Sequence, residues 1–146
     1  MNKFLSKTII VPWDFSEMSK AALQTTIEMV DGKLDQIEVV HVTAYPSAVE
    51  PGVVWGTLDE DTIADNLTKS FSAFLGDVAT GIKFTTLFGD PGSQVAQLAG
   101  ERDAGLVVIS SHGRTGLNRL LLGSVAERVV RLAPCPVLVL RGETEE

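Results

Sequence analysis

Five short apolar runs, rich in Val and Ile, recur along the chain. They occupy residues 8–11, 37–42, 84–88, 106–110 and 137–140. The runs are mostly continuous rather than alternating between apolar and polar residues, which is typical of strands covered on both faces of a parallel sheet. We therefore expect five short, buried strands.

Four stretches with helical spacing separate these runs. The first is expected to begin near Ser16, a predicted N-cap, and to end at Asp31-Gly32. The third begins at Asp90-Pro91, with proline at the first helical position. Its expected buried residues are Val95, Leu98 and Ala99.

The second and fourth helical stretches each carry a predicted capping box. These boxes are Thr57-Leu58-Asp59-Glu60 and Ser124-Val125-Ala126-Glu127. The expected core face of the second helix consists of Ile63, Leu67, Phe71, Phe74 and Val78. That of the fourth consists of Val125, Val129 and Leu132.

Strict alternation of strands and helices predicts an α/β fold, in which helices cover both faces of one doubly wound, five-stranded parallel sheet. Residues 1–146 fit a single domain. The long connection over residues 43–56 is typical of a functional lid.

A glycine-rich segment follows the fourth apolar run. It contains Gly113, Arg114 and Gly116, and then Gly123 and Ser124 at the start of the last helix. Glycine lets backbone amides come close to an anion, and the amides of a helix's first turn lack partners within the helix. Turn formation alone explains Gly113 and Gly116, and capping alone explains Ser124, but their combination after one strand predicts a phosphate site.

The charge distribution supports a small anion site. The net charge is −7, yet residues 111–141 hold five arginines and one acidic residue. An acidic surface disfavours nucleic acid and anionic lipid as partners. One cysteine and the lack of a long apolar run favour a cytoplasmic protein without a membrane span.

Other candidate residues lie at strand ends, where ligands bind in open α/β sheets. Asp14 is interpreted either as an acceptor for ribose hydroxyls or as a helix cap, and Val42 either as core or as a backbone contact to adenine. Trp13 either stacks on a base or covers the sheet. His112 is the only general-base candidate near the segment, although a loop role fits it better, and His41 is interpreted as structural. The sequence lacks a Walker A lysine, a Gly-x-Gly-x-x-Gly after the first strand and a nucleophile elbow.

At this point the chain resembles the universal stress protein family over nearly its whole length. The resemblance is carried by residues 10–17 (Ile-Val-Pro-Trp-Asp-Phe-Ser-Glu), by His41-Val42, and by the proline-flanked tail over residues 134–140. Its most specific part is Gly113-x-x-Gly116, six residues, then Gly123-Ser124, which is similar to the ATP-binding subgroup. Trp13 and Phe15 depart from the small or aliphatic residues more usual there.

The resemblance implies strand order 3-2-1-4-5, ATP in the crevice and a homodimer through the last strand, Val137–Leu140. AMP or ADP are alternative ligands, and Mg²⁺ would accompany the phosphates. By position, Pro12, Asp14 and Val42 would contact adenine and ribose, and Trp13 and His112 adjoin them. The residues around ribose and phosphates would be Gly113, Arg114, Gly116, Gly123, Ser124 and Val125.

Three functional hypotheses follow. The first is a nucleotide-dependent regulatory module of the stress response, which acts through occupancy or dimer state, with a partner protein as the receiver of the signal. The second is a slow ATPase or nucleotidyl transferase on the same fold. The third, a receiver-type phosphorylation switch, ranks below both because Asp14 alone does not form its acidic cluster and Asp90 is better explained as a helix cap.

Overall fold

A five-stranded parallel sheet forms the centre of the computed structural model, which describes residues 3–45, 59–112 and 122–142. The strands are β1 Ile9–Pro12, β2 Ile37–Thr43, β3 Lys83–Phe88, β4 Leu106–Ser110 and β5 Val137–Leu140. They run in the order β3-β2-β1-β4-β5, which confirms the expected order.

Helices lie on both faces of this sheet, as the continuous apolar strands predict. They are α1 Glu17–Met29, α2 Glu60–Leu75, α3 Pro91–Glu101 and α4 Ser124–Leu132, and short 3₁₀ turns span Leu34–Gln36 and Gly76–Gly81. One core cluster joins α1 and α2 to residues such as Ile9 and Val39. The other joins α3 and α4 to residues such as Ile10 and Val107.

Side-chain caps fix where three of the helices begin. The oxygen atoms of Ser16, Asp59 and Asp90 accept the backbone N–H three residues further on, at the starts of α1, α2 and α3. The predictions for Ser16 and for Asp90-Pro91 are confirmed. The capping box predicted from Thr57 is wrong, because Asp59 takes the N-cap position; Thr57 and Leu58 themselves lie outside the described residues.

Three residues predicted to face the core are exposed instead. Val78 lies beyond the end of α2, because Gly76 adopts a φ of 71° and ends the helix there. On α4 the buried residues are Ala126 and Val129, whereas Val125 and Leu132 are exposed. The predicted stripe on α4 therefore holds only at Val129.

A buried ion pair sits at the amino-terminal end of the strands. Glu38 on β2 accepts hydrogen bonds from Arg102 Nε (2.9 Å) and Thr85 Oγ1 (2.7 Å), and Lys83 Nζ lies 3.9 Å away. Burial by itself would raise the pKa of Glu38. The hydrogen bonds and the two positive charges outweigh burial, so the pKa of Glu38 lies below its ordinary value.

The order of the strands creates the crevice where a ligand is expected. β1 pairs with β2 on one side and with β4 on the other. The connections that follow β1 and β4 therefore leave the carboxyl end of the sheet in opposite directions, and a gap opens between them.

Candidate functional site

A cavity of about 290 Å³ occupies this gap. Its walls come from the carboxyl ends of β1, β2 and β4 and from the first turns of α3 and α4. The predicted site residues that line it are Pro12, Trp13, Asp14, Val42, His112, Gly123, Ser124 and Val125. The other three predicted residues, Gly113, Arg114 and Gly116, lie outside the described residues, as does most of the long connection predicted as a lid.

Asp14 follows the end of β1 and lines the cavity. Its Oδ1 accepts the backbone N–H of Ser16 at 3.0 Å, while Ser16 itself caps α1. Asp14 therefore supports the turn without being the helix cap. A carboxylate has about four acceptor positions, so this one bond leaves capacity for ligand hydroxyls.

Phe15 gives this turn a strained backbone. Its φ is 64°, a value that bulky residues rarely adopt and that costs about 1–3 kcal/mol. The ring packs edge-on against Trp13 and His41, with centroid distances of 5.7 and 5.3 Å. Aromatic packing thus holds the chain in a conformation that its local sequence disfavours.

Trp13 faces the opposite side of the sheet from α3 and α4. It is only 3% exposed and makes edge-on contacts with Phe71 and Phe74 of α2. Trp13 was interpreted either as stacking on a base or as covering the sheet, and these contacts agree with covering the sheet. Trp13 also borders the cavity.

The end of β4 and the start of α4 come unusually close together. Gly123 N donates to Ser111 O at 2.7 Å. A Cβ on Gly123 would stand 2.8 Å from the same oxygen and 3.4 Å from His112 Cα. The close contact with the end of β4 is what requires glycine at this position. The backbone conformation does not require it, because a φ of −62° suits any residue.

The first turn of α4 carries no side-chain cap. Gly123 takes the N-cap position and Ser124 is the first helical residue, so the capping box predicted from Ser124 is wrong. Ser124 and Val125 line the cavity, and the N–H groups of a helix's first turn have no partner within the helix. This end of α4 therefore presents amides, a hydroxyl group and the positive end of a helix dipole to the cavity.

His112 brings an unsatisfied nitrogen to the same wall. Its Nδ1 lies 3.3 Å from Ser111 Oγ. Its Nε2 is buried and has no hydrogen-bond partner in the part of the chain that the structure describes. A buried polar atom without a hydrogen-bond partner destabilises the folded protein. A ligand that formed a hydrogen bond with Nε2 would remove this cost, which would favour binding.

Helix α3 supplies a wall that sequence reasoning missed. Pro91 and Val95 line the cavity. Arg128 of α4 joins the two helices, because its Nε lies 3.2 Å from Asp90 Oδ2 and 3.3 Å from Ser93 Oγ. The hydrogen bonds from Ser93, with the Arg128 charge, lower the pKa of Asp90. In the sequence, a proline directly after the predicted cap Asp90 indicates only the start of a helix. Nothing in the sequence therefore marked Pro91 as part of a ligand site.

Ser19, Ser111 and Val40 also line the cavity and were not predicted. Each is buried and lies within a helix or strand or at its end. In the sequence, such residues cannot be distinguished from residues of the hydrophobic core. Within residues 3–45, 59–112 and 122–142, no three His, Cys, Asp or Glu side chains are grouped as a metal site would need. None of the helices in these ranges is long and apolar enough to cross a membrane.

Comparison with known proteins identifies the class to which this fold and site belong. The profile of the Universal stress protein family matches residues 6–141, so the chain belongs to that family. Universal stress protein MJ0531 of Methanocaldococcus jannaschii is 32% identical over 147 residues, which cover 97% of this chain and 86% of that protein.

Solved structures share the fold. MJ0577, also of M. jannaschii, superposes with a TM-score of 0.69 at 24% identity, covering 97% of this chain and 99% of that one. A universal stress protein in complex with cAMP gives 0.62 at 21% identity, covering 94% and 98%. The Archaeoglobus fulgidus protein in complex with dAMP gives 0.59 at 19% identity, covering 92% and 98%.

Proposed function

We propose that this protein is an ATP-binding regulatory module that responds to stress through nucleotide occupancy in a homodimer. The observation that carries the proposal is the pairing, across one cavity, of Asp14 with the uncapped start of α4. A carboxylate suits sugar hydroxyls, and a helix N-terminus suits phosphate. A nucleotide combines both groups in one molecule.

The residues present fit such a ligand. Gly123 lets the α4 amides approach without an intervening Cβ, and His112 Nε2 awaits a partner. In the proposed site, Pro12, Asp14 and Val42 contact adenine and ribose. The phosphates are held by Gly123, Ser124 and Val125, together with the sequence-predicted Gly113, Arg114 and Gly116.

The relatives solved with cAMP and dAMP favour an adenine base in this fold. We favour ATP over the monophosphates because the glycine spacing resembles that of the ATP-binding subgroup. Mg²⁺ would be held chiefly by the phosphates and water, since the described residues offer no acidic cage.

Turnover is expected to be slow or absent, because among the described residues of the cavity only His112 combines a titratable side chain with an unpaired buried atom. The same observation supports a second candidate function, slow ATP hydrolysis with His112 as the base. Hydrolysis of radiolabelled ATP that disappears in H112A would favour this enzyme. Hydrolysis that survives in H112A, or that is absent in the wild type, would count against it.

The proposed homodimer forms through β5. This strand is the last in the order and pairs with β4 on one side. Leu138 of β5 is 37% exposed, and Val130 and Leu132 of α4, the helix that precedes β5, are exposed as well. Unpaired apolar edges are usually covered in folded proteins, and a second copy of β5 would cover this one.

Two measurements test the proposal. Mass spectrometry of small molecules released from the purified protein should detect an adenine nucleotide, and calorimetry should give saturable ATP binding after the bound nucleotide is removed. The variant D14A/S124A removes the proposed ribose-binding carboxylate and the proposed phosphate-binding hydroxyl, and it should bind ATP much more weakly. A wild-type protein that binds neither ATP, ADP nor AMP would refute the proposed function.

A further inference from the structure

We propose that His41 and Phe15 are positioning residues that fix the carboxylate of Asp14 for the ribose hydroxyls of the bound nucleotide. The inference rests on the proposed function and deepens it. It assigns roles to a histidine interpreted as structural from the sequence and to a strained phenylalanine that departs from the family pattern.

His41 ties the residue before Asp14 to the neighbouring strand. Its Nδ1 lies 2.8 Å from the carbonyl oxygen of Trp13. Since a carbonyl only accepts, Nδ1 must carry the proton and donate. Trp13 N in turn donates to Val40 O at 2.8 Å. Both peptide groups of Trp13 are therefore held by β2, beyond the point where β1 itself ends.

Phe15 fixes the residue after Asp14. Its φ of 64° places the residue immediately after the carboxylate in the left-handed region of backbone conformation. Three rings hold Phe15 in place, at centroid distances of 5.7 Å from Trp13, 5.3 Å from His41 and 6.5 Å from Phe74. A backbone strained in this way persists only when its surroundings over-determine it, and such strain concentrates at ligand sites.

Asp14 is thereby clamped from both sides. Its neighbours in sequence are anchored to β2 and to the aromatic cluster, and its own Oδ1 accepts the N–H of Ser16 at 3.0 Å. A carboxylate held this firmly loses little freedom when it accepts a ribose hydroxyl, which favours binding. His41 also borders the cavity, and the hydrogen bond from its Nδ1 to Trp13 O is the contact through which it positions the turn that carries Asp14.

The experiment compares ATP with 2′,3′-dideoxyATP, which lacks the two ribose hydroxyls. In calorimetry, H41A and F15A should each weaken ATP binding about tenfold, the equivalent of roughly one lost hydrogen bond. Both variants should change dideoxyATP binding less than twofold. In a D14A background, the effect of H41A on ATP should disappear, because the group being positioned is gone.

Two further variants separate positioning from general stability. H41N keeps a donor near the position of Nδ1 and should recover most of the ATP affinity. T86V is the control, since Thr86 is the register partner of His41 on β3 and its buried hydroxyl has no partner in the described part of the chain. T86V should leave the preference for ATP over dideoxyATP unchanged.

A measurement without ligand completes the test. Amide hydrogen exchange at Ser16, whose N–H is bonded to Asp14, should accelerate in H41A and F15A but not in T86V. Equal weakening of ATP and dideoxyATP, or unchanged exchange and affinity in H41A, would overturn the inference while leaving the proposed function standing. A wild-type protein that binds no nucleotide would refute the proposed function and the ribose role together.

Discussion

The close approach of α4 to β4 makes Gly123→Ala a sharp test of the proposed phosphate site. The added Cβ would lie 2.8 Å from Ser111 O. Attractive carbon contacts begin at roughly 3.5 Å, so the methyl group overlaps the carbonyl by about half an ångström or more. That carbonyl also accepts the Gly123 N–H at 2.7 Å, so the two segments cannot separate without stretching this bond.

Overpacking of this kind costs about 1–3 kcal/mol of unfolding free energy. The backbone angles of Gly123 suit alanine, so the whole cost comes from the contact. We expect the start of α4 to move away from β4 and the affinity for ATP to fall at least about tenfold, which equals about 1.4 kcal/mol. Urea unfolding followed by circular dichroism measures the first effect, and calorimetry with ATP measures the second.

Gly105→Ala is a matched control. Its Cβ would lie 2.7 Å from Phe4 O, again a backbone carbonyl, but Gly105 precedes β4 at the opposite end of the sheet. This variant should lose comparable stability and keep its ATP affinity under conditions where it is folded. If Gly123→Ala binds ATP as tightly as the wild type, the cradle at α4 is not the phosphate site. If both variants weaken binding equally, the loss reflects general destabilisation.

Four other substitutions test individual contacts. Ser124→Ala should change the free energy of unfolding by less than about 0.5 kcal/mol, because Ser124 is not a cap, yet it should weaken ATP binding in calorimetry. Ser16→Ala removes a helix cap, so it should lower the free energy of unfolding by about 1 kcal/mol, as measured by urea unfolding. Arg102→Met should cost about 2 kcal/mol at pH 7, since it removes the guanidinium from the buried Glu38 carboxylate and leaves it only Thr85 and the more distant Lys83. Because the wild-type pKa of Glu38 is lowered, this difference should shrink in urea titrations as the pH falls below 4.5. If the proposed dimer forms through β5, the wild type should give a dimer in light scattering and Leu138→Glu, which places a charge on this strand, should give a monomer.

The sheet could be predicted from the sequence because its strands are covered on both faces. Ile9, Ile10 and Val11 are each fully buried, which a continuous apolar run on a central strand encodes directly. Strand bounds differ from those predicted by at most one residue at either end. The order of the strands came from a family resemblance, since strand pairing is a long-range property that periodicity does not carry.

Helix faces were less predictable, because two different residue sets can satisfy the same spacing. On α4, Val125, Val129 and Leu132 form a regular apolar stripe, but the buried pair is Ala126 and Val129. A small residue at position 126 lets the helix come close to the sheet, so shape prevails over hydrophobicity. Of the two outward residues, Val125 lines the cavity and Leu132 is the last residue of α4.

The dipeptide Gly123-Ser124 shows why the site itself was only partly predictable. Serine is the stronger N-cap former, so local propensity assigns the cap to Ser124. The structure assigns it to Gly123, because only a residue without a side chain fits against Ser111 O. That contact joins residues twelve positions apart and leaves no trace in local sequence. By taking the cap position, Gly123 frees the hydroxyl of Ser124 from the helix, and a serine that does not cap its own helix is available to bind a phosphate.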